Sequence, residues 1–572
     1  MKKMCVLVCA ILLVFSCAKE QPDDVPKTLL FSGITPEHLQ ATAAEWRANG
    51  FDGFLLAQIM NNWSDDIWAR DGDSTTRGED DSTFLRVKTC NDVCRKHGIT
   101  ENFVKVAFYD YVPLWTDDAA WAKFNQNFNE AARFAKMTGC RGVALDIEYI
   151  SEQYELDWEQ YDYQGYTQAD LRTAALRRGR ELVQTMLQSF PEMVFLNLPE
   201  GIYYYGPLAK DIFIGMITGM AEANAPGGFH LLTEKTYSMT STIGILHYAR
   251  KIEADILNEL DPATAEYWKT KCSVAFGGWP LGYYRKILDE NGNFLGYSGR
   301  QEKYGDKIVG SYADKSQRFT PEEFRNQYAG LLLGCRKYCW IYGHGYAWWH
   351  LSEEEMVRYR EPEKALGEVD DQIDAFRAVV REKWRGSAWM QSLSEKANDI
   401  NSDEFLKSLH FVTNFKIIGP FGCKDCDGFN EIYPPEKEIN FDAEYVANAG
   451  TVKWQTSTAD KQSGYLDFVK YLKPSDWVCA YAWCKVKSPE ARSAQLRLGT
   501  NDTGTLWLNG EKILSKNIER SAAPDTDILP VELKAGENTV LIKVCNTEFN
   551  WGLYLRFTDS EGNALTSLEY QL

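Results

Sequence analysis

Histidine is scarce. Seven residues in a chain of 572 are too few for a histidine-rich metal centre. Basic residues are also outnumbered: 62 Lys and Arg face 81 Asp and Glu, a formal charge of -19. Phosphate binding needs concentrated positive charge, so a nucleic-acid partner is not expected. Attachment through anionic lipid headgroups is disfavoured for the same reason. Beyond the N-terminus no apolar run is long enough for a membrane span. There is no HExxH, no serine nucleophile elbow, no P-loop and no dinucleotide glycine motif after a first strand. Neither metal nor cofactor is expected. Aromatic residues are abundant instead, with 18 Trp and 30 Tyr, and hydrophobic residues reach 44%, which excludes wholesale disorder. The length fits two to four domains at about 100–200 residues each.

Lys2 and Lys3 precede an apolar run, Cys5 to Phe15, too short to span a bilayer. It closes with Leu13, Val14, Phe15, Ser16 and Cys17. This resembles a bacterial lipoprotein signal. The resemblance implies cleavage before Cys17, lipidation of that residue, and a lipid-anchored protein of the bacterial cell envelope, at the outer membrane or cell surface. An ordinary secretory peptide is the alternative. Residues 1–16 read as signal and 17–26 as a polar tether. Of 14 Cys, eleven remain after Cys5, Cys9 and Cys17 are set aside. That number is odd, so at least one thiol stays free if the others pair within the chain. Cys90/Cys94 and Cys335/Cys339 have helical spacing. Cys423-x-x-Cys426 has no second CxxC, which favours a disulfide or two small buried side chains over zinc.

From residue 27 to 365, short β-rich runs alternate with longer amphipathic stretches. The runs are Thr28–Ile34, Gly53–Ile59, Phe103–Tyr109, Gly142–Ile150, Met193–Leu198, Phe229–Lys235, Ser273–Gly277 and Tyr338–Gly343. Helical stretches include Pro36–Asn49, with Thr35 as N-cap, Ala119–Met137, Thr167–Gln188, Ile243–Leu257 and Pro321–Leu333. Eight strands with intervening helices is the count of a (β/α)8 TIM barrel; a doubly wound sheet is the alternative. The acidic loop Asn61 to Ser82 does not fit EF-hand spacing and reads as a solvated acidic face. Residues 366–410 are helical and charged, a linker. From 411 to 572 short alternating runs punctuated by Asn509-Gly510 and Ala535-Gly536 predict an all-β, jelly-roll-like sandwich.

A barrel carries its active site at the carboxyl ends of its strands. The fourth run ends Gly142-Val143-Ala144-Leu145-Asp146-Ile147-Glu148. Alternation puts Asp146 and Glu148 on one face with Ala144, pointing into the barrel, while Leu145 and Ile147 meet the helices. Two acids there suit general-acid work, since repulsion raises one pKa. A structural pair held by arginine or backbone donors is the alternative. The fifth run leads to Glu200 and Tyr204, the sixth to Glu234 and Tyr237. Glu200 and Glu234 are each candidates for an opposing base or nucleophile. The seventh ends Gly277-Gly278-Trp279 with no acid; the eighth leads to His344 and Trp348. With Trp63 and Tyr109, these aromatic and polar residues fall near the same end. Sugar faces stack on Trp and Tyr, hydroxyls need polar partners, and glycosidic cleavage uses two carboxyl groups.

The fourth run resembles the end of the signature of chitinase-type hydrolases, Asp-x-Asp-x-Glu. Asp146 and Glu148 match its last two acids, and Ala144 stands where that family has the first. The resemblance implies Glu148 as general acid, Asp146 as its orienting partner, and Trp348 or Trp349 as an aromatic floor. Gly50-Phe51-Asp52-Gly53-Phe54 bears a looser likeness to barrel hydrolases of α-glucan or α-mannan backbones. Residues 411–558 are similar to a β-sandwich module found beside bacterial secreted hydrolases. That likeness rests on Gly419-Pro420-Phe421, Tyr433-Pro434-Pro435-Glu436, Asn501-Asp502, Trp507-Leu508-Asn509-Gly510 and Trp551-Gly552-Leu553-Tyr554; it implies an accessory jelly roll, sometimes sugar-binding. The expected function is a surface-tethered glycoside hydrolase acting on an oligo- or polysaccharide. A non-catalytic glycan-binding lipoprotein is the rival, favoured by the missing acid on strand seven.

Overall fold

The eight apolar runs form eight parallel strands that close into a barrel. The computed structural model describes residues 25–57, 59, 77–108, 112–147, 163, 165–199, 208–281, 319–343, 348–349, 372–395, 402–422, 428–447, 450–518, 520–547 and 549–572, with the backbone of four short strands between 286 and 309. The barrel strands are β1 Lys27–Ser32, β2 Gly53–Leu56, β3 Phe103–Ala107, β4 Gly142–Asp146, β5 Val194–Leu198, β6 Phe229–Thr233, β7 Ser273–Gly278 and β8 Tyr338–Gly343. Each pairs in parallel with its sequence neighbours, and β8 returns to β1 through Lys27 opposite Tyr338. Two antiparallel hairpins, Lys286–Leu288 with Phe294–Tyr297 and Glu302–Tyr304 with Lys307–Val309, interrupt the path from β7 to β8.

The helices are α1 Pro36–Ala48, α2 Ser82–Lys96, α3 Asp118–Thr138, α4 Gln168–Ser189, α5 Ala209–Glu222, α6 Thr242–Glu259, α7 Pro262–Lys271 and α8 Pro321–Gly334. Their starts are written locally. Thr35, Asp81, Asp117, Thr167 and Thr320 each accept a hydrogen bond from a backbone N–H of the first turn, worth about 1 kcal/mol apiece. Alternation along the strands then sorts side chains into two layers. Val143 and Leu145 join the outer core under the helices, and Ala144 joins the inner one with Leu29, Phe31 and Trp340.

After the barrel, α9 Ile373–Glu382, α10 Ala388–Glu395 and α11 Asp403–Ser408 lead to the C-terminal β-region. One sheet there has seven strands, running in space Gln455–Thr458, Asn414–Gly422, Val478–Ser488, Gly536–Asn546, Thr503–Leu508 and Glu511–Lys516, with Glu569–Gln571 beside Val478–Ser488. The other has four: Leu466–Asp467, Gly552–Thr558, Arg492–Asn501 and Asp527–Leu533. They share an apolar core that includes Ile417, Ile542, Leu498 and Leu555. Neither sheet closes on itself; with a separate hairpin of Glu444–Ala447 and Gly450–Lys453, the described β-region is built of open antiparallel sheets.

Cys90/Cys94 and Cys335/Cys339 are buried free thiols, with the Cys90 and Cys94 sulfurs 3.9 Å apart. Cys90 and Cys94 lie one turn apart on α2, whereas Cys335 ends α8 and Cys339 is on β8, so the second pair does not share a helix; all four are packed in the core. Cys423 and Cys426 lie outside the described residues. Among the described residues no helix is long and apolar enough to cross a membrane, and no three His, Cys, Asp or Glu gather as metal ligands would.

Candidate active site

At the end of β4 the side chain of Asp146 enters the barrel and is 2% exposed. Its Oδ2 lies 2.9 Å from the ammonium of Lys105, itself fully buried. The register explains the reach: Lys105 stands opposite Ala144 and Ala107 opposite Asp146, so the lysine extends one inward position toward the mouth, past the small Ala144. Either charge buried alone would cost several kcal/mol; together they offset most of that. The ammonium also lies 5.6 Å from the centre of the Phe31 ring, close enough for a cation–π attraction.

Phe31 opens a continuous aromatic wall. Its ring centre is 5.5 Å from Tyr342 and 6.3 Å from Trp340. Tyr342 stacks on Tyr237 at 5.7 Å and meets Trp279 edge-on at 4.9 Å. The Tyr237 hydroxyl donates to Glu234 Oε1 at 3.4 Å, so the wall ends on a carboxylate at the end of β6. Tyr237, Tyr342 and Glu234 are half-buried. The glycines ending β7 have a reason here. A Cβ on Gly277 would sit 2.7 Å from the Trp340 ring and 2.8 Å from that of Tyr237; one on Gly278 would meet Gln327 Oε1 at 2.7 Å. Strand seven carries no acid because rings and an amide occupy the space.

The opposite end of the barrel is closed by a separate polar layer. His230 Nδ1 and Ser273 Oγ are 2.8 Å apart, Lys337 Nζ donates to Gly227 O at 3.0 Å, and the Tyr338 hydroxyl donates to Glu101 at 2.7 Å. Burial first, and the Lys337 ammonium second, hold His230 well below the ordinary histidine range.

Asp146, Glu234, Tyr237 and Trp279 thus stand at the carboxyl ends of the strands, joined through Lys105, Phe31 and Tyr342. Trp348 is placed otherwise. It is fully buried in the outer layer, 5.8 Å from Phe51 and 6.3 Å from Phe324. It turns outward at the end of β8, so its ring offers no face to a ligand. Trp349 is likewise core, 6.0 Å from Trp46. Glu148, Glu200, Trp63, Tyr109, Tyr204, His344 and the lipidation residue Cys17 lie outside the described residues. Sequence reasoning missed Lys105, Phe31, Trp340 and Tyr342. The signal for Lys105 was a lone cation between Val104 and Val106 in an apolar strand, where alternation points it inward.

No family model matches the sequence, and no curated protein is similar to it. Solved structures match remotely. The chain spans less than half the length of two anti-sigma factor domain-containing proteins. The one from Clostridium clariflavum is 11% identical over 27% of this chain and 43% of that one, with a TM-score of 0.17. A GH5_18 protein from Streptomyces cattleya, solved in complex with GlcNAc, is 12% identical over 63% of this chain and 80% of that one, at 0.36. A glucosidase from Croceicoccus marinus is 10% identical over 92% and 98%, at 0.33. At these scores the likenesses bear on neither fold nor activity.

Proposed function

We propose that the protein is a glycoside hydrolase acting on an oligo- or polysaccharide. One observation carries the reading: a buried carboxylate, Asp146, fixed by Lys105 at the barrel mouth beside a wall of Tyr237, Trp279 and Tyr342 that ends on Glu234. The half-buried rings of Tyr237 and Tyr342 suit the C–H faces of sugar rings, while Trp279 is buried and packs edge-on against Tyr342. In this reading Glu148 is the general acid, and Asp146 orients it. Glu234 or Glu200 supplies the opposing base or nucleophile. The protein is lipidated at Cys17, held at the bacterial outer membrane or cell surface, and carries a jelly-roll-like accessory module at its C-terminus.

The test is glycan cleavage by the protein lacking residues 1–17, beside a Glu148→Gln variant, on host, plant and microbial polysaccharides. Reducing ends released by the native protein, and reduced about 10²–10⁴-fold in the variant while binding persists, are the expected result. Cleavage surviving in the variant would discard the assignment on strand four. Tight binding without release by either protein would favour a glycan-binding lipoprotein. The close packing against Gly277 and Gly278 favours that second reading, because it denies an acid to the end of β7.

A further inference from the structure

The turn after β6 carries Glu234 and Tyr237 and is held from both sides. On the barrel side the Thr236 hydroxyl donates to Gly277 O at 2.6 Å, and Gln327 Nε2 donates to the carbonyls of Thr236 and Tyr237 at 2.9 and 3.0 Å. On the other side the partner is the C-terminal β-region. The Thr240 hydroxyl donates to Thr526 O at 2.9 Å, and the Ser241 hydroxyl donates to Pro524 O while capping α6. All of these side chains are buried. Gly244, in the first turn of α6, lies so close that a Cβ there would stand 2.8 Å from the Cβ of Ala523.

The loop making these contacts is itself fixed by charge. Asp525 receives Arg497 at 2.7 Å and Arg556 at 2.5 and 2.7 Å, and Asp527 receives Arg520 and Lys516. Lys516 also pairs with Glu323 in the first turn of α8. The guanidiniums of Arg497 and Arg556 both lie over the ring of Trp389 of α10, 5.6 and 5.3 Å from its centre. Loop, linker and barrel rim therefore form one packed unit. An independent module on a tether would need none of it.

We propose that the C-terminal β-region is part of the active-site framework: its 523–527 loop holds the turn bearing Glu234 and Tyr237, with Thr240 and Ser241 as positioning residues. This rests on the reading of Glu234 and Tyr237 as cleft residues. The geometry gives the loop hard polar contacts to a turn whose two functional side chains lie three and six residues before Thr240. Losing those contacts frees the turn and leaves the strands beneath it in place.

The experiment is hydrogen exchange on the full chain and on Thr240→Val, Thr240→Ser and Gly244→Ala. Thr240→Val keeps shape and removes the donor. Gly244→Ala favours the helix but wedges the interface, so local and interfacial effects have opposite signs. The expected result is exchange over residues 234–241 faster by about 10-fold, one hydrogen bond's worth, in the valine and alanine variants. Residues 103–107 and 142–146 should be unchanged, and Thr240→Ser should restore protection. Unchanged protection of 234–241 in both Thr240→Val and Gly244→Ala would overturn the proposal. Kinetics on any glycan the native protein cleaves supply a second readout: kcat should fall in Thr240→Val and recover in Thr240→Ser. If the native protein cleaves nothing, the hydrolase reading fails while exchange still decides the framework.

Discussion

Two buried aspartates show how differently the two regions use charge. In the C-terminal β-region Asp525 is gripped by two guanidiniums. Burial pushes its carboxyl up, but Arg556 and Arg497 more than reverse that and hold it at about 2. In the barrel, Asp146 faces the ammonium of Lys105 at the mouth, next to an aromatic wall. The first acid is one negative charge between two positive ones, and it fixes a loop. The second pairs with a buried ammonium at the end of a strand, where barrels do chemistry. A buried pair is weak evidence for stability, because apolar residues of similar size often do as well. Its position therefore says more about its use than its existence does.

The largest effect should come from Asp525→Ala. It strands two buried guanidiniums and should cost about 3–5 kcal/mol, read by urea denaturation. A loss below about 1 kcal/mol would erase the contrast from the β-region's side. Next is a cycle on the barrel pair. Lys105→Met alone should cost about 3 kcal/mol by leaving Asp146 unpaired by its lysine. Lys105→Met with Asp146→Leu should regain most of that stability yet abolish glycan cleavage. Retained cleavage in the double variant would make the barrel pair as structural as Asp525.

The smallest effect is the order in which acid weakens the two regions. His230 has a depressed pKa in the barrel, so below about pH 6.5 the unfolded chain gains a proton that the native barrel refuses. Barrel stability is full above that pH and falls as pH drops. Asp525 is lowered from 3.8 to about 2, so its contribution, about 2 kcal/mol, is present above about pH 4 and lost toward pH 2. Regional hydrogen exchange at about pH 7, 5 and 3 should show the barrel loosening first, and His230→Gln should flatten the first step. Simultaneous loosening of both regions between pH 7 and 5 would break the comparison.

Much of the barrel was legible because its strands are short apolar runs whose neighbours in sequence are neighbours in space. All eight expected runs overlap the observed strands, and the inward face of β4 follows from alternation alone. The β-region was less legible where proline intervenes. Asn414–Gly422 contains Pro420 and Asp527–Leu533 contains Pro530, and proline demotes a run as a strand candidate. The alternating stretch 451–455 reads as one run but is divided at Trp454 between Gly450–Lys453 and Gln455–Thr458, which join different sheets. At the site, Asp146, Glu234, Tyr237 and Trp279 follow from strand ends. Trp348 does not, because side-chain direction past a strand end depends on the packing there.

By itself the sequence determined what period and local chemistry encode: eight parallel strands, the caps of their helices, the inward turn of Asp146, and a change to β texture near residue 411. The tertiary structure decided which distant groups meet. Lys105 finds Asp146 across 41 residues, Tyr342 finds Tyr237 across 105, and Thr240 finds the backbone of Thr526 across 286. Alternation states which way a side chain points, from its own neighbours. Which charge, ring or carbonyl it points at depends on barrel closure and on docking of the β-region, and neither leaves a local trace.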